Sequence, residues 1–186
     1  MLTALYIGRF QPFHKGHLDV VQHIESSLDI EKIIIAIGSS QYNYLNKSPT
    51  AKWTSNPFTF EERREMIQKS IDGVIKKPVE IVALSDLHNY KKWFANIDET
   101  IEFDVLYTSN RGERECFESH DYEVRGFPKY YDFRATDVRH NMGTGKPYKY
   151  ALPFGTIEVV DRIRGEERIK ELMMMDIALK IKCGGN

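Results

Sequence analysis

Cysteine is scarce in this chain: 2 among 186 residues, Cys116 and Cys183, with no histidine pair beside either. That excludes a disulfide framework and a cysteine-rich zinc site, and it reads as free thiols in a reducing compartment. Long apolar runs are absent too. Nothing is long enough to span a bilayer and the N-terminus lacks the layout of a secretory signal, so the expectation is a cytoplasmic protein with no membrane partner. An excess of one charge is also missing. With 26 Lys and Arg against 27 Asp and Glu, the net charge of −1 leaves no basic field of the kind nucleic-acid binders use. What is present is ordinary: 41% hydrophobic and 28% charged residues describe one soluble domain with room for a proper core.

One stretch departs from the ordinary, Ile7-Gly8-Arg9-Phe10-Gln11-Pro12-Phe13-His14-Lys15-Gly16-His17. It follows an apolar run (Leu2, Ala4, Leu5) and precedes an amphipathic one (Leu18, Val21, Ile24, Leu28), the context of a strand, a turn and a helix start. Gly8 admits a sharp turn and close approach of a ligand to the backbone. Arg9 adds a permanent fork-shaped cation, and Gln11 offers amide donors. His14 and His17, three apart, point the same way on one helical turn. Two imidazoles, an arginine and the N–H groups of a helix start make a phosphate site. A metal pair fits the histidine spacing, but no nearby Cys, Asp or Glu completes a ligand set. Ordinary surface histidines would leave the glycines and the arginine unexplained.

His14-x-Gly16-His17 after a strand resembles the signature of the nucleotidyltransferase superfamily, and the longer string from Gly8 to His17 is similar to that of the archaeal-type nicotinamide-nucleotide (NMN) adenylyltransferases, a family that includes a related domain fused to Nudix hydrolases in some bacteria. Net charge and chain length both argue against the tRNA synthetases of the same superfamily.

The rest of the chain reads in order. Strands are expected at Thr3–Ile7, Lys32–Ile37, Val79–Ala83 and Asp104–Thr108, with a further short one at Tyr122–Val124. The strand, helix, strand beginning is a right-handed βαβ unit, with ligand at the strands' carboxyl ends, where Gly8 and Gly38 fall. Tyr42 to Ser55 is a polar loop beside that site; its Lys47 and Lys52 read as phosphate contacts or solvated surface. Thr59 and Glu62 form a capping box, so a helix starts there and runs toward Gly73. Thr136 reads as the N-cap of a later helix with Asp137 in its first turn. Helices are expected at Arg111–Ser119, Phe154–Ile163 and Glu166–Lys182, and the tail Cys183–Asn186 is expected to be loose. By residue type alone, Asp86 is a helix cap, Trp93 a core aromatic, and Gly38-Ser39-Ser40-Gln41 a polar turn.

The resemblance assigns more to these positions. Gly38-Ser39 lies against the nucleotide in the family, and Asn56-Pro57-Phe58-Thr59 matches the motif that follows its active-site loop. Some members place an arginine immediately before that motif; here the position is Ser55. An aspartate and a tryptophan spaced like Asp86 and Trp93 recognise nicotinamide, with Asn89 near the place of the family's asparagine. Thr136 and Arg139 carry over as contacts to the ATP β- and γ-phosphates, although the family's leading serine is Arg134 here.

The implied fold is α/β: a doubly wound parallel sheet, a Rossmann-like nucleotidyltransferase fold, in a single domain over residues 1–172, with 173–186 as a closing helix end and tail. The implied reaction joins ATP and NMN into NAD and pyrophosphate. His14, His17 and Arg139 are the implied catalytic residues. Gly8, Arg9, Phe10, Gln11, His14, His17, Gly38, Ser39, Thr136 and Arg139 would bind ATP, and Asp86, Asn89 and Trp93 would bind NMN. Mg²⁺ would arrive with ATP without a dedicated protein site. Small nucleotides are the implied partners, with no nucleic acid, and a homo-oligomer is expected.

Overall fold

The strand and helix boundaries follow from which side chains must leave water. In the computed structural model, which describes residues 1–183, Ile33 to Ile37 are all buried. A strand covered on both faces must be apolar at every position. The strands are β1 (Leu2–Gly8), β2 (Ile30–Ile37), β3 (Val79–Ala83), β4 (Val105–Tyr107) and β5 (Glu123–Arg125). They form one sheet in the order β3-β2-β1-β4-β5, and every pairing is parallel, with Tyr6 of β1 opposite Ile35 of β2 and Tyr107 of β4. The chain winds outward from β1 through β2 and β3, then returns to β4 on the other side. The order therefore reverses beside β1, and ligands of open α/β sheets bind at such a reversal. The expected Rossmann-like α/β fold is the one observed.

The helices are α1 (Lys15–Ser26), α2 (Phe60–Ile71), α3 (Tyr90–Thr100), α4 (Arg111–Glu118), α5 (Ala135–Thr144), α6 (Phe154–Arg162) and α7 (Gly165–Cys183). The chain gathers into two compact units. The first holds the whole sheet with α1, α3 and α4. Its core packs Leu5, Ile34, Ala36 and Leu106 from one sheet face against Phe94, Ile97 and Phe117 of α3 and α4. α1 buries Val20, Val21 and Ile24.

The second unit takes residues 10–15, 41–70 and the chain from 132 onward. It is helical, with buried Phe10, Phe13, Phe58, Val138, Met142, Val159 and Ile169. α6 lies on the backbone of α2: a Cβ at Gly155 would sit 2.4 Å from the Lys69 carbonyl carbon. Only glycine permits that approach. Beside it, the Ser70 and Thr156 hydroxyls meet at 3.2 Å.

α2 runs toward Gly73 as expected and ends at Ile71, ahead of the left-handed turn at Gly73, φ +69°. Two local expectations are corrected. α5 starts at Ala135, with Arg134 rather than Thr136 at the N-cap. Arg134 has no acceptor to cap with, so Asp137 Oδ2 reaches back to accept the Arg134 N–H at 2.8 Å. α1 starts at Lys15, so His14 precedes the helix instead of sharing its first turn with His17. The capping box at Thr59 and Glu62 is formed in both directions, at 2.9 and 3.2 Å. Residues 184–186 of the expected tail lie outside the described residues.

Candidate active site

In the first unit, β1 and β2 end side by side, and the Gly38 N–H donates to the Gly8 carbonyl at 2.8 Å. Beyond those ends lies a cavity of ≈ 390 Å³. Gly8, Arg9, Gly38, Ser39, Asp86, Asn89 and Trp93 all line it. Residues expected on the ATP side and residues expected on the NMN side therefore share one hollow.

The wall is set by unusual backbone and by short polar contacts. Ser39 holds φ +48°, a conformation that non-glycine residues adopt seldom. From there its hydroxyl donates to Asp86 Oδ2 at 3.3 Å. Asp86 Oδ1 accepts the His88 N–H at 2.9 Å, and the His88 ring lies 3.5 Å from the same oxygen. The carboxylate is thus fixed just beyond the end of β3. Asn89 caps α3, its Oδ1 accepting the Lys92 N–H at 3.0 Å. That oxygen is engaged in structure. Trp93 stands edge-on to Tyr90 and Phe117, with centroids 5.8 and 6.0 Å away.

His88, Tyr90 and Glu113 line the same cavity, and the sequence pattern singles out none of them. Burial raises the Glu113 carboxyl above its ordinary range, while the hydrogen bond from Thr108 works the other way. The available signal was positional: Glu113 lies in the first turn of α4, straight after the carboxyl end of β4.

Of the remaining expected residues, the second unit holds Phe10, Gln11, His14, Thr136 and Arg139. Phe10 is buried with φ +50°. The Gln11 side chain grips the Phe58 backbone twice, donating to its carbonyl and accepting its N–H, each at 3.0 Å. Arg139, 7% exposed, donates to the Gln11 carbonyl at 2.6 Å and to the Thr136 hydroxyl at 3.2 Å. The signature turn is therefore tied to both the Asn-Pro-Phe-Thr segment and α5. His14 is buried against the edge of Phe133, 5.4 Å between centroids. Desolvation lowers its pKa from 6.5 to about 4, so at neutral pH it is an uncharged imidazole with one N–H to give. His17, half-buried, belongs to α1 in the first unit.

Thr136 and Arg139 open onto a hollow of ≈ 240 Å³ that Lys52, Thr54, His140 and Asp176 also line. Asp176 of α7 binds the polar loop there. It accepts the Trp53 and Thr54 N–H groups at 2.8 and 3.1 Å and the Thr54 hydroxyl at 2.7 Å. The loop's Trp53–Ser55 is one turn of 3₁₀ helix. Lys47 turns to the Ser48 carbonyl at 2.9 Å.

Comparison with known proteins gives the family and the fold. A family model described as Cytidylyltransferase-like matches residues 5–141. The chain is 37% identical over 179 residues to the nicotinamide-nucleotide adenylyltransferase of Methanococcus aeolicus, covering 94% of this chain and 97% of that one. It is 36% identical over 176 residues to the enzyme of the same name from Thermoplasma acidophilum, covering 93% of each. Among solved structures, a bifunctional NMN adenylyltransferase/ADP ribose pyrophosphatase from Francisella tularensis, complexed with AMP and a manganese ion, superimposes with TM-score 0.68 at 23% identity. The match covers 92% of this chain and 52% of that one, so this chain spans about half its length. That likeness is one of fold.

Proposed function

This chain belongs to the cytidylyltransferase-like family, alongside its nicotinamide-nucleotide adenylyltransferases, and we propose that it transfers the adenylyl group of ATP to NMN, giving NAD and pyrophosphate. The observation that carries the reading is the cavity at the ends of β1 and β2. It brings Gly8, Arg9, Gly38 and Ser39 together with Asp86 and Trp93.

The NMN 5′-phosphate oxygen attacks the α-phosphorus of ATP in line with departing pyrophosphate. No covalent enzyme intermediate is needed, so catalysis consists of positioning and of answering the charge that builds on phosphate oxygens. His14 and His17 donate to the α- and β-phosphates, and the N–H groups at the start of α1 favour anions there. His14 gives a single N–H, being neutral at the working pH. Arg139 steadies the leaving group, and its bonds to Gln11 and Thr136 fix the guanidinium beforehand. Trp93 stacks on the cationic pyridinium ring, worth about 1–2 kcal/mol once desolvated.

Among the described residues no cluster of three or more His, Cys, Asp or Glu could hold a metal ion. Mg²⁺ therefore fits this site as a companion of ATP, held by phosphate oxygens and water, where it would neutralise phosphate charge. A cytoplasmic homo-oligomer completes the proposal. No helix among the described residues is long and apolar enough to cross a membrane, and exposed Met174, Ile177 and Ile181 on α7 give a partner copy something to cover.

The test is pyrophosphate release from ATP and Mg²⁺ with NMN, FMN or 4′-phosphopantetheine in turn. Release with NMN and formation of NAD is the expected result. Release only with another acceptor overturns the nicotinamide reading, and silence from protein that binds ATP makes it a nucleotide sensor.

A further inference from the structure

The reading above leaves open which pyridine mononucleotide the cavity takes, and Glu113 bears on that question. As the third residue of α4, a glutamate would ordinarily reach back to the N–H of the capping residue. Here it does not. The Asn110 N–H goes to the Thr108 hydroxyl at 3.0 Å, and Asn110 Oδ1 takes the Gly112 and Glu113 N–H groups at 2.8 and 3.2 Å. The helix start is complete without the glutamate's carboxylate, which turns to the cavity wall instead.

Its placement there is controlled. The Thr108 hydroxyl, its own oxygen occupied by the Asn110 N–H, donates to Glu113 Oε2 at 2.6 Å. A donor aimed at the carboxylate favours its ionised form. Burial opposes ionisation and raises the Glu113 pKa, and the Thr108 bond works against that rise. Gly112 makes room beside it, since a Cβ there would stand 3.0 Å from the Tyr90 hydroxyl. The charged or titratable neighbours on the same wall are Asp86, whose oxygens meet Ser39 and His88, then His88 itself, Tyr90 and, at the end of β1, Arg9. The aromatic surface of Trp93 and Tyr90 is thus bordered by two carboxylates.

Resting on the function proposed above, we propose that Glu113 is a specificity residue: its carboxylate admits the nicotinamide mononucleotide and rejects the nicotinate one. The two ligands share a pyridinium ring, ribose and phosphate. They differ in one substituent, a neutral carboxamide that can donate N–H against an anionic carboxylate that cannot. A buried carboxylate accepts the first and repels the second, and like charges brought together out of water discriminate strongly.

The experiment is steady-state pyrophosphate release by the full chain with ATP, Mg²⁺ and either mononucleotide, for the wild type and Glu113→Gln. Glutamine keeps the size and removes the charge. The wild type is expected to favour the amide by at least tenfold in kcat/KM. Glu113→Gln should narrow that ratio about tenfold, chiefly through a lower KM for the acid. An unchanged ratio in an active Glu113→Gln enzyme, or a wild type that uses both acceptors equally, overturns the inference but leaves the proposed function standing. Release with neither acceptor overturns both. Should Glu113→Gln not fold, calorimetric binding to the wild type decides. NAD is expected to bind at least tenfold more tightly than its nicotinate analogue, and equal affinity overturns the inference.

Discussion

The two units hold their site residues by different means. In the first, the cavity is made by where strands stop: Gly8 and Gly38 are backbone at the ends of β1 and β2, and Arg9 projects exposed from the same edge. The sheet fixes these positions whatever the side chains do. In the second unit, side chains do the holding. Gln11 binds Phe58, Arg139 binds Gln11 and Thr136, and Asp176 binds Trp53 and Thr54. Arg168 joins them, paired with both oxygens of Glu62 at 2.7 and 2.9 Å and stacked 4.0 Å from the Tyr44 ring. The difference teaches that a mutation at these strand ends reads out chemistry, whereas one among the second unit's hydrogen-bonded side chains reads out chemistry and folding together.

The contrast is sharpest for His17 and Arg139. His17→Ala is expected to lower kcat by about 10²–10³, the usual cost of a lost preorganised donor, far more than it harms folding. A folded His17→Ala enzyme with normal turnover would break the catalytic assignment. Arg139→Ala should lose comparable turnover and also about 2–3 kcal/mol of stability in denaturant titration, because a buried charged donor leaves its acceptors unmet. If Arg139→Ala proves as stable as the wild type, the side-chain account of the second unit fails.

The next effect in size is a pH dependence. The folded pKa of His14 is about 4, lowered from 6.5 by burial. A depressed histidine pKa means the unfolded chain binds more protons, so stability falls as pH drops below 6.5 and the loss is complete below 4. The loss approaches about 3 kcal/mol, of which about 2 has occurred by pH 5. The difference in stability between wild type and His14→Gln across that window measures it. A flat difference would mean that the His14 ring is not desolvated. The smallest effect is expected for Asp176→Ala, at about 1–2 kcal/mol of stability. It should raise the KM for ATP several-fold and leave that for NMN unchanged. A shift in NMN alone would move the Trp53–Ser55 turn away from the ATP tail.

Much of this was legible in the chain. β3 falls at Val79–Ala83 as expected, and β1 extends the expected strand by one residue at each end, because a buried parallel strand is written as a continuous apolar run. The Thr59 and Glu62 capping box was legible for the same reason, being a rule about residues three apart. The failures are of another kind. Arg134 at the N-cap of α5 breaks the residue preference for caps and is rescued by Asp137. Ser39 at φ +48° has no sequence signature. Asp176 meets Thr54 across 122 positions, and no local pattern announces a partner that far away. Glu113 was hidden by its own plausibility, as an acid at a helix start that would ordinarily serve the helix.

The central claim, adenylyl transfer onto NMN, is tested most directly by following the α-phosphorus of ATP. With ATP labelled at that atom, supplied with Mg²⁺ and NMN, the account predicts label in NAD and one unlabelled pyrophosphate for each NAD formed. Label recovered only in AMP or in unreacted ATP, with NMN unchanged, would contradict it.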